Sequence, residues 1–163
     1  MPSAAGHVVI RRAKRSDAEA IARMAAALAA HEGKPKGPFT ASVFRREGFG
    51  RKAAFRTLVA EIDGEPVGYA LFYFGYDVDT ASRGAHLADL FVAKSRRRAG
   101  IGRALVAAVR EECRRAGGSW VAWFVQRDNL EALAFYRVLG AERDDDVPME
   151  LRLAKRPRKP KRL

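Results

Sequence analysis

A basic turn with two glycines joins an apolar run to a helical pattern, and this junction restricts the fold more than any other segment. The turn spans residues 97–102, after a strand pattern at 87–92 and before a helical pattern at 101–116. Backbone N–H groups in such a turn, with the positive end of the helix dipole, bind anions such as a pyrophosphate. Glycine at positions 100 and 102 lets the ligand approach the backbone. We therefore expect a strand, an anion-binding turn and a helix.

Two common nucleotide-binding patterns do not fit this turn. A dinucleotide fingerprint needs a third small residue where Leu105 stands, and it belongs in the first strand–helix unit of a fold. A phosphate loop needs Gly-Lys followed by Ser or Thr, which the sequence lacks. The predicted anion site therefore belongs to a different scaffold.

The other segments predict a mixed α/β fold around one central sheet, with the order βααβββαβαβ. A hairpin is expected at 57–76, where Asp63, Gly64, Glu65 and Pro66 supply a turn between two apolar runs. Ser16 and Glu19 match a capping box, and Thr40 matches the cap of a second helix. The other strands are predicted at 8–10, 87–92, 119–125 and 149–153, and the helices at 16–30, 40–48, 101–116 and 130–139.

Length and charge indicate one domain with short tails. The 163 residues suit a single core, and we predict a tail at 1–6, a domain at 7–153 and a basic tail at 154–163. The net charge is +12, of which six Lys and Arg residues of the last tail carry half. A basic body suits an anionic nucleotide cofactor. No apolar run approaches the roughly 20 residues of a membrane span, and no signal peptide is recognisable, so we expect a cytoplasmic protein without a membrane partner.

Two motifs give a family resemblance. The first is Arg97, Gly100 and Gly102 after the strand that ends at Val92, and the second runs from Asn129 through Ala132 and Tyr136 to Gly140. In this order and spacing they resemble the acetyl-CoA signature and second motif of Gcn5-related N-acetyltransferases. The likeness spans 8–153. It is closer to the diamine (spermidine/spermine-type) and thialysine acetyltransferase branch, through the segments 47–50, 58–61, 73–77 and 87–92.

The resemblance implies a single-domain fold whose mixed sheet is splayed between strands 4 and 5 and flanked by about four helices. It implies an enzyme that transfers an acetyl group from acetyl-CoA to a primary amine of a small molecule, such as a diamine, polyamine or lysine-like amino acid, by direct attack in a ternary complex. A homodimer is also implied. The expected cofactor contacts are Leu90, Phe91, Val92, Arg97, Arg98, Ala99, Gly100, Ile101, Gly102, Arg103, Asn129 and Tyr136.

The same resemblance suggests the catalytic groups. Tyr136 would protonate the departing thiolate, and Asp89 would take a proton from the amine, although a water chain could do so instead. Asp77 and Asp89 are the candidates for binding the amine. Related polyamine acetyltransferases carry a glutamate where this chain has Ala88, which leaves the base and the acceptor open. By spacing alone Tyr136 fits a core position, and Asn129 fits a helix cap.

Other readings remain. The acceptor could be a protein, a peptide or an aminoglycoside. The basic tail could bind nucleic acid, although no aromatic and basic recognition motif supports this. Ala88 is compatible with a catalytically silent acyl-CoA sensor. Because the three histidines show no ligand spacing and Cys113 is the only cysteine, we predict no metal site and no disulfide.

Overall fold

The structure is a computed structural model, and it describes residues 7–146 and 148–152. These residues fall into two compact units that divide after Gln126. The first unit contains β1 (Val8–Arg12), α1 (Ala18–His31), α2 (Ala41–Glu47), β2 (Arg56–Ile62), β3 (Glu65–Asp77), β4 (Ser82–Val92), α3 (Ile101–Arg115) and β5 (Gly118–Ala122). The second unit contains α4 (Leu130–Val138).

The five strands form one mixed sheet in the order β1-β2-β3-β4-β5. Strands β1 to β4 pair antiparallel, and β5 pairs parallel with β4. Alternate side chains point to opposite faces of the sheet. Val59, Tyr69 and Leu71 pack with α1 and α2, whereas Gly68 lies on the other face beside Leu105 of α3. This arrangement confirms the predicted α/β class.

The start of α1 differs from the prediction. Just before the helix, the carboxylate of Asp17, rather than the hydroxyl of Ser16, accepts a hydrogen bond. The donor is the N–H of Lys14, at 2.6 Å. Arg11 holds the same carboxylate through two N–O contacts of 2.8 and 2.9 Å, so a short 3₁₀ turn forms first and the α-helix begins at Ala18. The predicted capping box does not form, because Glu19 pairs with Arg45 instead.

Arg11 and Asp17 also stabilise the join between β1, β2 and the start of α1. Arg11 reaches Glu61 of β2 at 2.6 Å as well as Asp17. The hydrogen bond from Arg11 is the main reason that the pKa of Asp17 lies below its ordinary value. The ionised carboxylate therefore contributes to folding stability. The second predicted cap is confirmed, since Thr40 Oγ1 accepts from the N–H of Val43 at 3.3 Å.

A glycine pair makes room for a tryptophan on the sheet. Gly75 and Gly84 face each other across β3 and β4, and Trp120 of β5 lies over Gly84. A Cβ atom at residue 84 would overlap the indole ring, and one at residue 75 would lie 3.0 Å from the ring of His86. Side chains at these two positions would therefore displace the aromatic rings.

The predicted strand at 149–153 is wrong for its described part. Met149 to Arg152 have no strand conformation, and Leu153 lies outside the described residues. The side chains of Met149 and Leu151 are 91% and 86% exposed, so the alternating pattern buries no apolar surface. Strand preference depends on packing against neighbours, which the alternation alone does not supply. Among the described residues, no helix has the length and apolar character needed to cross a membrane.

Candidate active site

The sheet opens on one side of β4. The parallel pairing of β4 with β5 ends at His86 and Ala122, but β4 continues to Val92. Within the described part of the chain, no strand pairs with residues 87–92 on that side. Their backbone N–H and C=O groups can therefore pair with an extended ligand. This opening is the splay expected between the fourth and fifth strands.

A β-bulge in β4 lies inside the opening. Leu87 pairs with Phe72 and Asp89 pairs with Leu71, so Ala88 is the extra residue on β4. A bulge increases the local twist and re-aims the following side chains. Here it leaves Ala88 exposed and directs Asp89 toward Tyr69 on the neighbouring strand. The methyl group of Ala88 supplies no carboxylate, so the nearest acid on this strand is Asp89.

Asp89 lies in a setting that favours its protonated form. Tyr69, which is fully buried, donates its hydroxyl to Asp89 Oδ2 at 2.7 Å. Burial raises the pKa of Asp89 above its ordinary value, and the charge of Glu32 adds to the rise, while the Tyr69 hydrogen bond and Lys34 oppose it. Burial together with the Asp89 charge also raises the pKa of Tyr69, which keeps that hydroxyl a donor. A carboxylate with a raised pKa is a stronger base at neutral pH.

A cleft of about 180 Å³ lies beside Asp89, between α1 and the segment that connects α1 to α2. Asp89 is the residue that the sheet contributes. The lining combines apolar side chains of α1 and Phe39 with charged side chains of the connecting segment. The lining residues are Ala25, Ala26, Leu28, Ala29, Glu32, Lys34, Lys36, Gly37, Phe39 and Asp89.

The sequence analysis missed Glu32, Lys34 and Lys36. It assigned no role to these side chains, which lie between the two helices predicted at 16–30 and 40–48. Their position beside Asp89 depends on how α1 packs on the sheet, through contacts distant in sequence. The one available signal was the concentration of charged residues in a Gly- and Pro-rich connection.

The turn after β4 has the backbone geometry of an anion site. Gly100 is left-handed with φ of 78° and immediately precedes α3, whose first N–H groups have no partner within the helix. A Cβ atom at residue 100 would meet nothing within 4 Å, so the space beside it is open. Arg98 is also left-handed. The side chain of Arg97 is directed back toward the end of β4, since its Nε donates to the carbonyl oxygen of Val92 at 3.1 Å. The turn therefore fits a pyrophosphate.

Asp77 lies elsewhere. Its carboxylate accepts from the N–H of Asp79 at 3.0 Å and from Thr80 Oγ1 at 2.6 Å, in the turn between β3 and β4. The Thr80 hydrogen bond is the main reason that its pKa lies below the ordinary value. Asp77 pairs with Ser82, whereas Asp89 pairs with Leu71, and six residues of strand correspond to about 20 Å. The structure does not bring the two aspartates together.

The second unit contains the other two predicted site residues. Asn129 Oδ1 accepts from the N–H of Ala132 at 3.1 Å, so Asn129 caps α4. Tyr136 lies about two turns after Asn129 on this helix, with its ring centroid 5.1 Å from that of Phe135. The roles of Asn129 as a cofactor contact and of Tyr136 as an acid stay predictions. Among the described residues, no group of three or more His, Cys, Asp or Glu side chains could hold a metal ion.

The site combines an open β4 edge, an anion-binding turn and a partly buried aspartate beside a cleft, which is the arrangement of an acyltransferase-type site. Residues 19–141 match the model of the acetyltransferase (GNAT) family. The chain belongs to this family and is an N-acetyltransferase. Acetyl-CoA is the cosubstrate of these enzymes.

Several proteins with named acetyltransferase activities are similar to this chain. A thialysine N-epsilon-acetyltransferase from Sus scrofa is 36% identical over 143 residues, which cover 82% of this chain and 84% of that protein. An L-ornithine N5-acetyltransferase from Arabidopsis thaliana is 33% identical over 75 residues, 46% of this chain and 33% of that protein. The structure of an aminoglycoside N-acetyltransferase in complex with CoA has a TM-score of 0.77, with 19% identity over 94% of this chain and 99% of that one. These likenesses support the thialysine branch of the family.

Proposed function

We propose that this protein transfers the acetyl group of acetyl-CoA to a primary amine of a small molecule, by direct attack within a ternary complex. The observation that carries the proposal is the position of Asp89, which lies on the open part of β4 and lines the cleft beside α1. A carboxylate there is close to both expected reactants. The relatives that act on thialysine and L-ornithine favour a diamine, a polyamine or a lysine-like amino acid as the acceptor.

The chain offers two backbone features for the cosubstrate. In the proposed complex, Leu90 and Val92 pair with the amides of the pantetheine arm along the open edge of β4. The N–H groups of residues 98–103 hold the pyrophosphate, and Arg98 and Arg103 add positive charge. Arg97 supports this arrangement by holding the carbonyl of Val92, where the strand ends.

The reaction requires a neutral amine. An aliphatic ammonium with a pKa near 10.4 is neutral in only about one molecule per thousand at pH 7. Asp89 takes this proton, directly or through water. The amine nitrogen then bonds to the thioester carbon, while a backbone N–H near Phe91 or Val92 stabilises the developing charge on the carbonyl oxygen.

The carbon–sulfur bond breaks as the amide forms. Tyr136 donates a proton to the departing thiolate, and the second proton lost by the nitrogen replaces it. The products are an N-acetylated amine, CoA thiol and one released proton. This balances the ammonium and thioester that enter the site. We include in the proposal a homodimer in the cytoplasm, and light scattering after size-exclusion chromatography tests the subunit number.

A thiol-release assay tests the proposal. We expect acetyl-CoA-dependent turnover with at least one of spermidine, putrescine, L-lysine, thialysine and L-ornithine, while an aminoglycoside and a histone peptide serve as comparison acceptors. Tyr136→Phe should lower kcat with little change in the KM for acetyl-CoA, and Asp89→Asn should lower turnover at neutral pH. Asp79→Asn is the matched control, because Asp79 is exposed in the β3–β4 turn. Absence of turnover with every small amine would refute the proposal.

A further inference from the structure

The lining of the cleft beside Asp89 includes side chains of both signs of charge. Glu32 and Lys34 form an ion pair with an N–O distance of 2.6 Å, and both line the cleft. Their side chains are 26% and 57% exposed, so the pair is accessible to a ligand from solvent. Lys36 also lines the cleft. An exposed ion pair is worth little by itself, so a ligand can exchange partners with it at low cost.

The end of α1 holds this pair in place. Glu32 is the C-cap residue of the helix, and Gly33 is left-handed with φ of 68°. The N–H of Lys34 donates to the carbonyl of Ala29 at 2.8 Å, and that of Gly33 donates to Ala30 at 3.1 Å. The backbone that carries both charged side chains is therefore fixed by helix-cap hydrogen bonds.

Resting on the function proposed above, we propose that Glu32 and Lys34 recognise the head group of an α-amino acid whose side-chain amine reaches Asp89. Glu32 accepts from the α-ammonium, and Lys34 donates to the α-carboxylate. The apolar side chains of α1 and Phe39 that line the cleft contact the methylene groups between the two ends. The pair thus selects lysine-like amino acids over diamines and polyamines of the same length.

Charge matching gives the reason for this selectivity. A zwitterionic head group replaces one ion pair by two and leaves no charge without a partner. A diamine offers only a second ammonium, which can pair with Glu32 only by displacing Lys34. The displaced Lys34 would then lie beside the ligand cation and Lys36, and like charges at close range repel. Two carboxylates and two lysines around one cleft therefore match a zwitterion better than a dication.

L-lysine and cadaverine test the inference, because cadaverine is lysine without its carboxylate. The wild type should show a higher kcat/KM for L-lysine than for cadaverine. Lys34→Met should lower the value for L-lysine about tenfold to a hundredfold, the usual range for losing one hydrogen bond between charged groups. The value for cadaverine should stay the same or rise. Lys52→Met is the control, because Lys52 is exposed in the segment between α2 and β2 and does not line the cleft.

Glu32→Gln provides the complementary test. Because Glu32 is the partner of an ammonium in both ligands, this change should lower kcat/KM for L-lysine and cadaverine together. Equal values for the two amines in the wild type, or an unchanged L-lysine value in Lys34→Met, would overturn the inference and leave the proposed function intact.

Binding separates this inference from a failure of the proposed function. If no amine in the wider panel gives thiol release, calorimetric titration with L-lysine and cadaverine replaces the rate assay. Binding of L-lysine that is weakened in Lys34→Met would support recognition of the head group in a protein without the proposed turnover. No binding of L-lysine to the wild type would overturn it.

Discussion

Removing the Tyr69 hydroxyl should change the pH dependence of catalysis. In Tyr69→Phe, Asp89 loses a hydrogen bond of 2.7 Å from a fully buried donor. A hydrogen bond to a charged group contributes about 1.5–3 kcal/mol, and one pH unit corresponds to about 1.36 kcal/mol. The pKa of Asp89, already raised by burial, should rise further. Since Asp89 must be ionised to accept a proton, the acid limb of kcat/KM should move up by about 1–2 pH units.

The assay is thiol release with one amine from pH 5 to 9, with kcat/KM plotted against pH. Tyr73→Phe is the matched control, because Tyr73 lies four residues further along β3, on the same face, and is 42% exposed. Its profile should coincide with that of the wild type. If the acid limb is the same in Tyr69→Phe and in the wild type, Asp89 is not the group whose ionisation the profile reports. A loss of kcat/KM that is equal at every pH, with no displacement of the acid limb, would indicate a structural role for Tyr69.

Two further predictions concern stability. Asp17→Asn should lower the free energy of unfolding by about 2 kcal/mol at pH 7, because the hydrogen bonds from Arg11 lose their charged acceptor. Since the folded-state pKa of Asp17 is lowered, the difference in unfolding free energy from wild type should hold above about pH 5 and shrink below about pH 4. Urea unfolding at several pH values measures this difference. A pH-independent difference would contradict this. Gly84→Ala should lower the free energy of unfolding by about 1–3 kcal/mol, because its Cβ would overlap with Trp120. Thermal unfolding in a Trp120→Leu background should show most of that loss of stability removed. An equal loss of stability in both backgrounds would argue against the overlap.

The sequence predicted most elements because their signals are local. Apolar periodicity located α1, α3 and the β2–β3 hairpin, and Thr40 marked the start of α2. The first part of β4 was missed, since Ser82 to His86 include polar residues and Gly84 rather than an apolar run. That stretch is strand because β3 and β5 pair with it, and such pairing is not visible in its own composition.

The candidate site was predictable only in part. The turn before α3 has a motif, and Asp89 lies beside it in sequence, so both could be identified in advance. The partners of Asp89 could not, because Tyr69 lies on another strand and Glu32 at the end of a helix. Strand pairing brings Tyr69 to Asp89, and the packing of α1 on the sheet brings Glu32 there. Asp77 illustrates the converse, since a resemblance in sequence made it a candidate while the hairpin places it about 20 Å along the strand.

The end of α1 has a consequence for how enzymes of this kind change their acceptor. Glu32 and Lys34 lie on a short connection that begins at the helix cap, whereas Asp89 and the open edge of β4 belong to the sheet. Substitutions in the connection leave the pairing of the strands untouched. Because the two parts are separate, substitutions in the connection can change which amine related enzymes accept, while the open edge of β4 that faces the thioester stays the same.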